Sequence, residues 1–326
     1  MLYHLPRYNK PGMQDTRDWK LSERRKSLKS DDGWQKGFTN CLYRPFDIRP
    51  YFHHQDAVEL PRHEVMKHMI AGDNLALATT RQVTTTVFCH FLCTKFPIEM
   101  KTCSHDRATN IFAIYLYDDD LRGLTRRPNL SPKFIEDCAA KLSMLFIQDG
   151  TGDRERTFGP EDIFNYMYAV FHSPTYRSRY AEFLKMDFPR LPLTSKPALF
   201  RELCTLGQQL VDLHLMETKA PKMTGFPVAG DSTVEKVRYQ EPHDDIKGRI
   251  WINPTQYFEG IPKEVWEFHI GGYQVCDKWL KDRKGRQLTY DDLTHYQQVV
   301  SALAETMKLM ESIDAVIDGS GGWPVV

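Results

Sequence analysis

The hydrophobic period of this chain switches three times, and that switching restricts its fold more than any single motif. Residues 42–46, 75–80, 86–92 and 111–117 are short runs, each in part β-branched or aromatic, separated by charged or turn-rich stretches. Runs of that length predict strands, with only residues 62–70 reading as helical between them. From Ser131-Pro132 the period becomes that of a helix. Phe134, Ile135, Cys138, Leu142 and Leu145 share one face to about residue 146, and Pro160-Glu161-Asp162 opens a second helix that ends at Ser173-Pro174. A further helix reaches Leu184. The next carries Leu199, Leu203, Leu206, Leu210 and Leu213 as a narrow seam, read as core packing. Strand texture returns at 234–239, 249–252 and 265–270, and a long helix capped by Thr289 with Asp292 runs to Ile313.

Strands follow strands and helices follow helices. The pattern predicts a mixed α/β (α+β) fold, with short, largely antiparallel strands and a helical C-terminal half, not a set of βαβ units. The polar, glycine-containing segment 148–159 marks a subdomain boundary. Residues 1–40 then read as an irregular basic arm or linker, 41–150 as a strand-rich subdomain and 151–326 as a helix-rich subdomain with a strand meander, together one domain. With 326 residues and 41% hydrophobic side chains the chain can bury a substantial core. Seven scattered cysteines, several in apolar surroundings, read as reduced thiols of a cytoplasmic protein. No signal peptide is evident and the apolar runs are too short to span a bilayer, so no membrane partner is expected.

The formal net charge is zero, so the distribution of charge has to indicate the partner. Residues 1–30 hold eight bases and three acids, whereas 291–326 hold six acids and one base. The densest basic run ends segment 268–286, in which Gly271-Gly272 separates a strand-like start from a short helix. Lys278, Lys281, Arg283, Lys284 and Arg286 stand there against Asp282, with Tyr273 and Trp279 among them. That mixture suits contact with nucleic-acid phosphates; it equally suits a solvated helix end whose bases meet the last carbonyls. Two more clusters are Arg122, Arg126 and Arg127 before Pro128, and Arg177, Arg179, Lys185 and Arg190 around Tyr176 and Tyr180.

No catalytic residue and no metal site is assigned. Asn253-Pro254-Thr255-Gln256-Tyr257 superficially resembles the Asn-Pro-Pro-Tyr signature of amino-methyltransferases, but its spacing differs and no glycine-rich cofactor loop precedes it, so it reads as a turn. Gly319-Ser320-Gly321-Gly322 has no room for a following helix, and no Walker sequence is present. Cys89, Cys93, Cys103 and His105 lack paired Cys-x2-Cys knuckles; His53-His54 with Asp56 lacks a second ligand pair. Glu217-Thr218-Lys219 lacks the Pro-Asp of a nuclease site.

The stretch 250–286, with Gln-Tyr-Phe-Glu-Gly, Glu-Val-Trp-Glu-Phe and Ile-Gly-Gly-Tyr-Gln-Val before the basic run, resembles the C-terminal specificity region of Type ISP restriction-modification enzymes. Tyr43-Arg44-Pro45-Phe46-Asp47, Pro61-Arg62, Asn74-Leu75, Arg127-Pro128-Asn129-Leu130, the stretch 166–193 and His295-Tyr296-Gln297 are similar to the family's other landmarks, so the resemblance covers nearly everything from about residue 41. It implies a target recognition domain for double-stranded DNA. The nuclease, the ATP-dependent translocase and the adenine methyltransferase would lie on other domains or a companion subunit, and S-adenosylmethionine, ATP and Mg would bind there, with no cofactor in this chain. Motifs common to members that read different sequences imply scaffold or backbone contact, which leaves base reading to loops such as 95–109 or 221–232. The alternatives are a docking module for a DNA methyltransferase and a stand-alone enzyme with an unfamiliar site.

Overall fold

The computed structural model describes residues 15, 20–85, 87–118, 125–244 and 247–325. The architecture is α+β. Most of the strand-like runs form small antiparallel sheets, and the helices of the second half pack on one another. Within the stretch read as an irregular arm, Leu21–Lys29 is a helix (α1). It is tied down where Arg24 and Ser27 bond Asp56, at 2.9 and 2.6 Å. The first hairpin, β1 (Phe38–Arg44) with β2 (Asp47–Phe52), also begins inside that stretch. The rest of the expected arm, residues 1–14 and 16–19, lies outside the described residues.

After the short helix α2 (His63–Met66) come β3 (Ala76–Thr80), β4 (Phe91–Thr94) and β5 (Thr109–Ala113), a sheet ordered β4-β3-β5. The strand expected from residue 86 starts only at Phe91; Thr86 itself is outside the described residues. The single strand expected over 111–117 is two, because the chain changes sheet at Ile114: β5 pairs with β3, whereas β6 (Tyr115–Tyr117) pairs with β7 (Arg126–Pro128).

Helix α3 (Pro132–Leu142) is capped by Ser131, whose side chain accepts from the Phe134 amide. It stops earlier than its apolar spacing suggested, since Ser143 turns left-handed and β8 (Leu145–Phe146) pairs in parallel with β9 (Thr157–Phe158). Helix α4 (Pro160–His172) starts over Asp162, which accepts from the amides of Gly152 and Gly159 and from Arg154 Nε. Two short helices, α5 (Pro174–Arg179) and α6 (Ala181–Met186), lead to α7 (Pro197–His214). The leucine seam of α7 faces inward, and a Cβ at Gly207 would strike the Asn165 carbonyl, so the missing side chain lets α7 lie close against α4.

The meander is β10 (Arg238–Gln240), β11 (Arg249–Trp251) and β12 (Tyr257–Glu259), antiparallel and in that order. The strand expected over 265–270 is instead a helical turn opened by Pro262, α8 (Lys263–Trp266), and a two-residue strand, β13 (His269–Ile270). β13 pairs with β14 (Tyr273–Gln274), which runs directly into α9 (Val275–Lys281). The last helix, α10 (Tyr290–Gly319), has the expected Thr289 and Asp292 capping box.

Where α4, α7 and α10 meet, a chain of polar groups crosses the apolar core. The Cys93 amide donates to Tyr168 Oη, which lies 2.6 Å from His214 Nδ1; His214 Nε2 lies 2.9 Å from Thr306 Oγ1, and Thr306 donates to the Ala302 carbonyl. Each donor finds an acceptor when His214 is neutral with its proton on Nε2. Burial lowers the His214 pKa to about 3 and pushes His172, which bonds the Tyr168 carbonyl, well below the usual imidazole value. All seven cysteines are free thiols, and six are buried. Among the described residues no helix is long and apolar enough to cross a membrane.

Candidate nucleic-acid interface

Segment 268–286 is first a clamp. Gly271 has φ +60°, and a Cβ there would strike the Cys103 carbonyl. The Gly271 amide donates to the Cys89 carbonyl (2.8 Å) and the Gly272 amide to the Cys103 carbonyl (2.9 Å), so the Gly-Gly turn lays bare backbone on the strand-rich half. Tyr273 Oη donates to the Lys101 carbonyl at 2.8 Å. Val275, Cys276, Trp279 and Leu280 of α9 face inward. One turn beyond Trp279, Arg283 continues that face.

The Arg283 guanidinium lies 3.4 Å over the Trp279 ring. It bonds Asp47 Oδ1 at 2.9 Å and the Trp279 carbonyl at 3.0 Å. Asp47 is only 1% exposed and also accepts from Arg49 Nη2 at 2.6 Å. Burial alone would raise the Asp47 pKa, but the bond from Arg49 and the charge and bond of Arg283 hold it below the usual carboxylate range. Arg283 was expected among the phosphate-contacting residues; at 9% exposure it instead joins α9 to the start of β2.

Arg177 departs from expectation in the same way. It is buried, its Nε donates to the Phe171 carbonyl at 2.7 Å, and burial lowers its pKa. Arg126 is half-buried over the Tyr115 ring, bonded to the Asp73 carbonyl and to Asp149. Lys278 pairs with Asp282 one helical turn on, and Lys185 pairs with Glu182. Arg122 lies outside the described residues. The cations that do face solvent are Lys281, Lys284, Arg286, Arg179, Arg190 and Arg127. Lys281 reaches Asp277 at 2.6 Å and Arg127 reaches Asp118 at 3.7 Å, both on the open surface. The side chains of Lys284, Arg286 and Arg179 have no partner among the described residues, while the charge of Arg190 acts on Asp187.

The β10–β12 sheet holds a feature that sequence reasoning missed. Tyr239, Ile250 and Phe258 are in register and turn inward, with Ile250 and Phe258 fully buried. The flanking positions form two rows on the opposite face, Arg238-Trp251-Tyr257 and Gln240-Arg249-Glu259. Arg238 lies over Trp251 (5.5 Å), Arg249 over Tyr257 (4.3 Å), and the two rings are 4.5 Å apart. Trp251 Nε1 donates to Gln240 at 3.0 Å. The signal was the triplet pattern itself, an apolar or aromatic centre between polar or aromatic flanks in all three segments, but only the register brings the triplets together.

The two loops named for base reading differ. In 95–109, Thr102, Cys103 and Ser104 are buried, with Cys103 against the Gly271-Gly272 turn and Thr102 bonded to the Leu42 carbonyl. Loop 221–232 borders the sheet, since Gly225 pairs with Glu259 through two backbone bonds and the Ser232 carbonyl accepts from Leu288. Asn253 is buried, bonding the Thr233 carbonyl and Gln256, and so forms the turn its sequence suggested.

Residues 5–312 match the model of the Type ISP C-terminal specificity domain. The chain belongs to that family. The specificity domain is similar in fold to three solved structures. One is an ATP-dependent Type ISP restriction-modification enzyme, LlaBIII, bound to DNA (TM-score 0.68, 16% identity, 92% of this chain and 20% of that one). Another is a nuclease-deletion mutant of the Type ISP enzyme LlaGI in complex with a DNA substrate mimic (0.62, 18%, 90% and 26%). The third is a DrdV–DNA complex (0.69, 20%, 96% and 33%). The chain therefore spans between a fifth and a third of the length of those proteins. Comparison with curated protein sequences finds no match.

Proposed function

We propose that this specificity domain recognises a duplex DNA target on behalf of a Type ISP restriction-modification enzyme, with adenine methylation, ATP-driven movement and cleavage carried by other domains or by a companion subunit. The observation that carries the reading is the family match over residues 5–312, to which the shared fold with DNA-bound enzymes adds support. Lys281, Lys284 and Arg286 are the phosphate contacts of the basic run, because they are exposed and their charge is free or only surface-paired. Arg179, Arg190 and Arg127 are the outward members of the other clusters.

The test is the salt dependence of duplex binding. Changing Lys281, Lys284 and Arg286 to glutamine removes up to three phosphate contacts, so the slope of log K against log salt should shrink by roughly 3 at about 0.9 per contact. An unchanged slope would remove this run from the interface. Absence of any duplex affinity at low salt, together with tight binding to a methyltransferase domain, would replace DNA recognition by docking.

A further inference from the structure

Arg238 and Arg249 stand apart from most arginines of this chain. The Arg249 guanidinium lies 4.3 Å over the Tyr257 ring and that of Arg238 5.5 Å from the centre of Trp251, yet neither makes an ion pair or a side-chain hydrogen bond among the described residues. Arg249 Nε is buried without a partner, while the side chain as a whole is half-exposed. Stacking uses the flat face of a guanidinium and leaves its N–H edge unspent. The part-buried Arg249, close over Tyr257, keeps its outer edge free for a planar acceptor pair, and the exposed Arg238 stands beside it across the Trp251 ring.

The dimensions agree with a duplex groove. Each strand has three residues, about 10 Å, and three strands at about 4.8 Å spacing put the outer two about 10 Å apart. A B-form major groove is about 12 Å wide, and β-sheets are among the elements that enter it. Glu259 ends the second row and offers a carboxylate, the acceptor that suits a cytosine amino group.

We infer that the outer face of β10–β12 is the base-reading surface, with Arg238 and Arg249 as specificity-determining residues that donate in pairs to O6 and N7 of guanine in the major groove. This rests on the reading of the chain as a duplex-binding domain. It differs from simple phosphate contact in requiring two donors fixed in one plane, a geometry that the rotatable lysine ammonium matches only as a point charge.

The test is selection of bound sequences from a pool of randomised duplexes by the full chain and by its Arg238→Lys, Arg249→Lys, Arg238→Ala and Arg249→Ala variants, with thermal melts to establish folding. The unmodified chain should enrich a motif containing guanine. Either lysine variant should lose roughly tenfold to a hundredfold preference at one guanine position while keeping its affinity for random duplex. Replacing that guanine by 7-deazaguanine in the enriched duplex should weaken binding by the unmodified chain, a measurement that does not depend on any variant folding. An enriched motif unaltered by all four substitutions, or indifference to 7-deazaguanine, overturns the sheet face as reader and leaves duplex recognition standing. Failure of the unmodified chain to bind duplex at low salt overturns both.

Discussion

Replacing Arg283 by alanine should unfold this protein more readily without acting first on DNA. The guanidinium is 9% exposed and Asp47, its partner at 2.9 Å, is 1% exposed. Removing one member of a buried pair costs about 3–5 kcal/mol, because the remaining charge stays buried. Asp47 keeps its 2.6 Å bond to Arg49, which points to about 3 kcal/mol for this part. Loss of the stack 3.4 Å above Trp279 adds about 1–2 kcal/mol, giving a total near 4–5 kcal/mol. With an unfolding entropy of about 2.1 cal/mol/K per residue, a chain of this length should melt about 6–7 °C lower.

Urea titration followed by circular dichroism measures the change, with Lys284→Ala as a control expected within about 0.5 kcal/mol of the unmodified chain. A cycle with Asp47→Ala should give a coupling of a few kcal/mol. If Arg283→Ala leaves the urea midpoint unchanged yet weakens duplex binding as much as Lys284→Ala does, the inward assignment is wrong and Arg283 is a DNA contact.

Gly271→Ala should cost more than about 3 kcal/mol, since a Cβ meets the Cys103 carbonyl as well as an unfavourable φ; Gly285→Ala, at φ +77° with nothing within 4 Å, should cost only about 1–2 kcal/mol. Equal costs in denaturant titrations would show that the Gly-Gly turn does not hold the two halves together. Stability should also fall in mild acid. His172 and His214 have folded pKa values below the unfolded value of about 6.5, so the unfolded chain takes up protons first. Their contribution is intact above pH 6.5 and declines towards the folded values, with His214 losing about 2 kcal/mol by pH 5 and His172 acting in the same direction. A urea midpoint that is flat from pH 7.5 to 5 contradicts the neutral Tyr168–His214–Thr306 chain.

Long periodic segments were legible in the sequence. Helices α3, α4, α7 and α10 begin at Ser131, Pro160, near Ser195 and at Thr289 as their caps and prolines indicate, because capping is local chemistry. Short strands were not, since a two- or three-residue strand is defined by its partner: β12 went unread, and 111–117 divided where its two halves found different sheets. The basic run was legible as composition but not as geometry. Counting from Cys276 through Trp279 and Leu280 at helical spacing puts Arg283 on the buried face and Lys278 and Lys281 away from it, a signal present in the sequence once the helix is allowed one more turn. Nothing in the sequence identified Asp47 as the partner, 236 residues away.

Lys284, Arg286, Arg238 and Arg249, none of which makes an ion pair or side-chain hydrogen bond among the described residues, share one backbone ribbon. Gly285 and Arg286 bond Val234, Leu288 bonds Ser232, Glu235 and Lys236 bond Ile252, and β10 continues that edge to pair with β11. From Val234, beside Arg286, to Arg238 is four residues, a span of at most about 14 Å. That is less than half a turn of duplex, about 17 Å. Phosphate contacts carry no sequence information, but they fix the register in which base contacts are made, and they can do so only when the two sets are rigidly linked over a short distance. Lys284 and Arg286 are so linked to Arg238 and Arg249, whereas Arg127 and Arg179 have no such connection to the sheet. Neutralising Lys284 and Arg286 should therefore weaken every duplex alike and leave the enriched motif intact, while changes at Arg238 and Arg249 should alter the motif and leave the salt slope nearly unchanged.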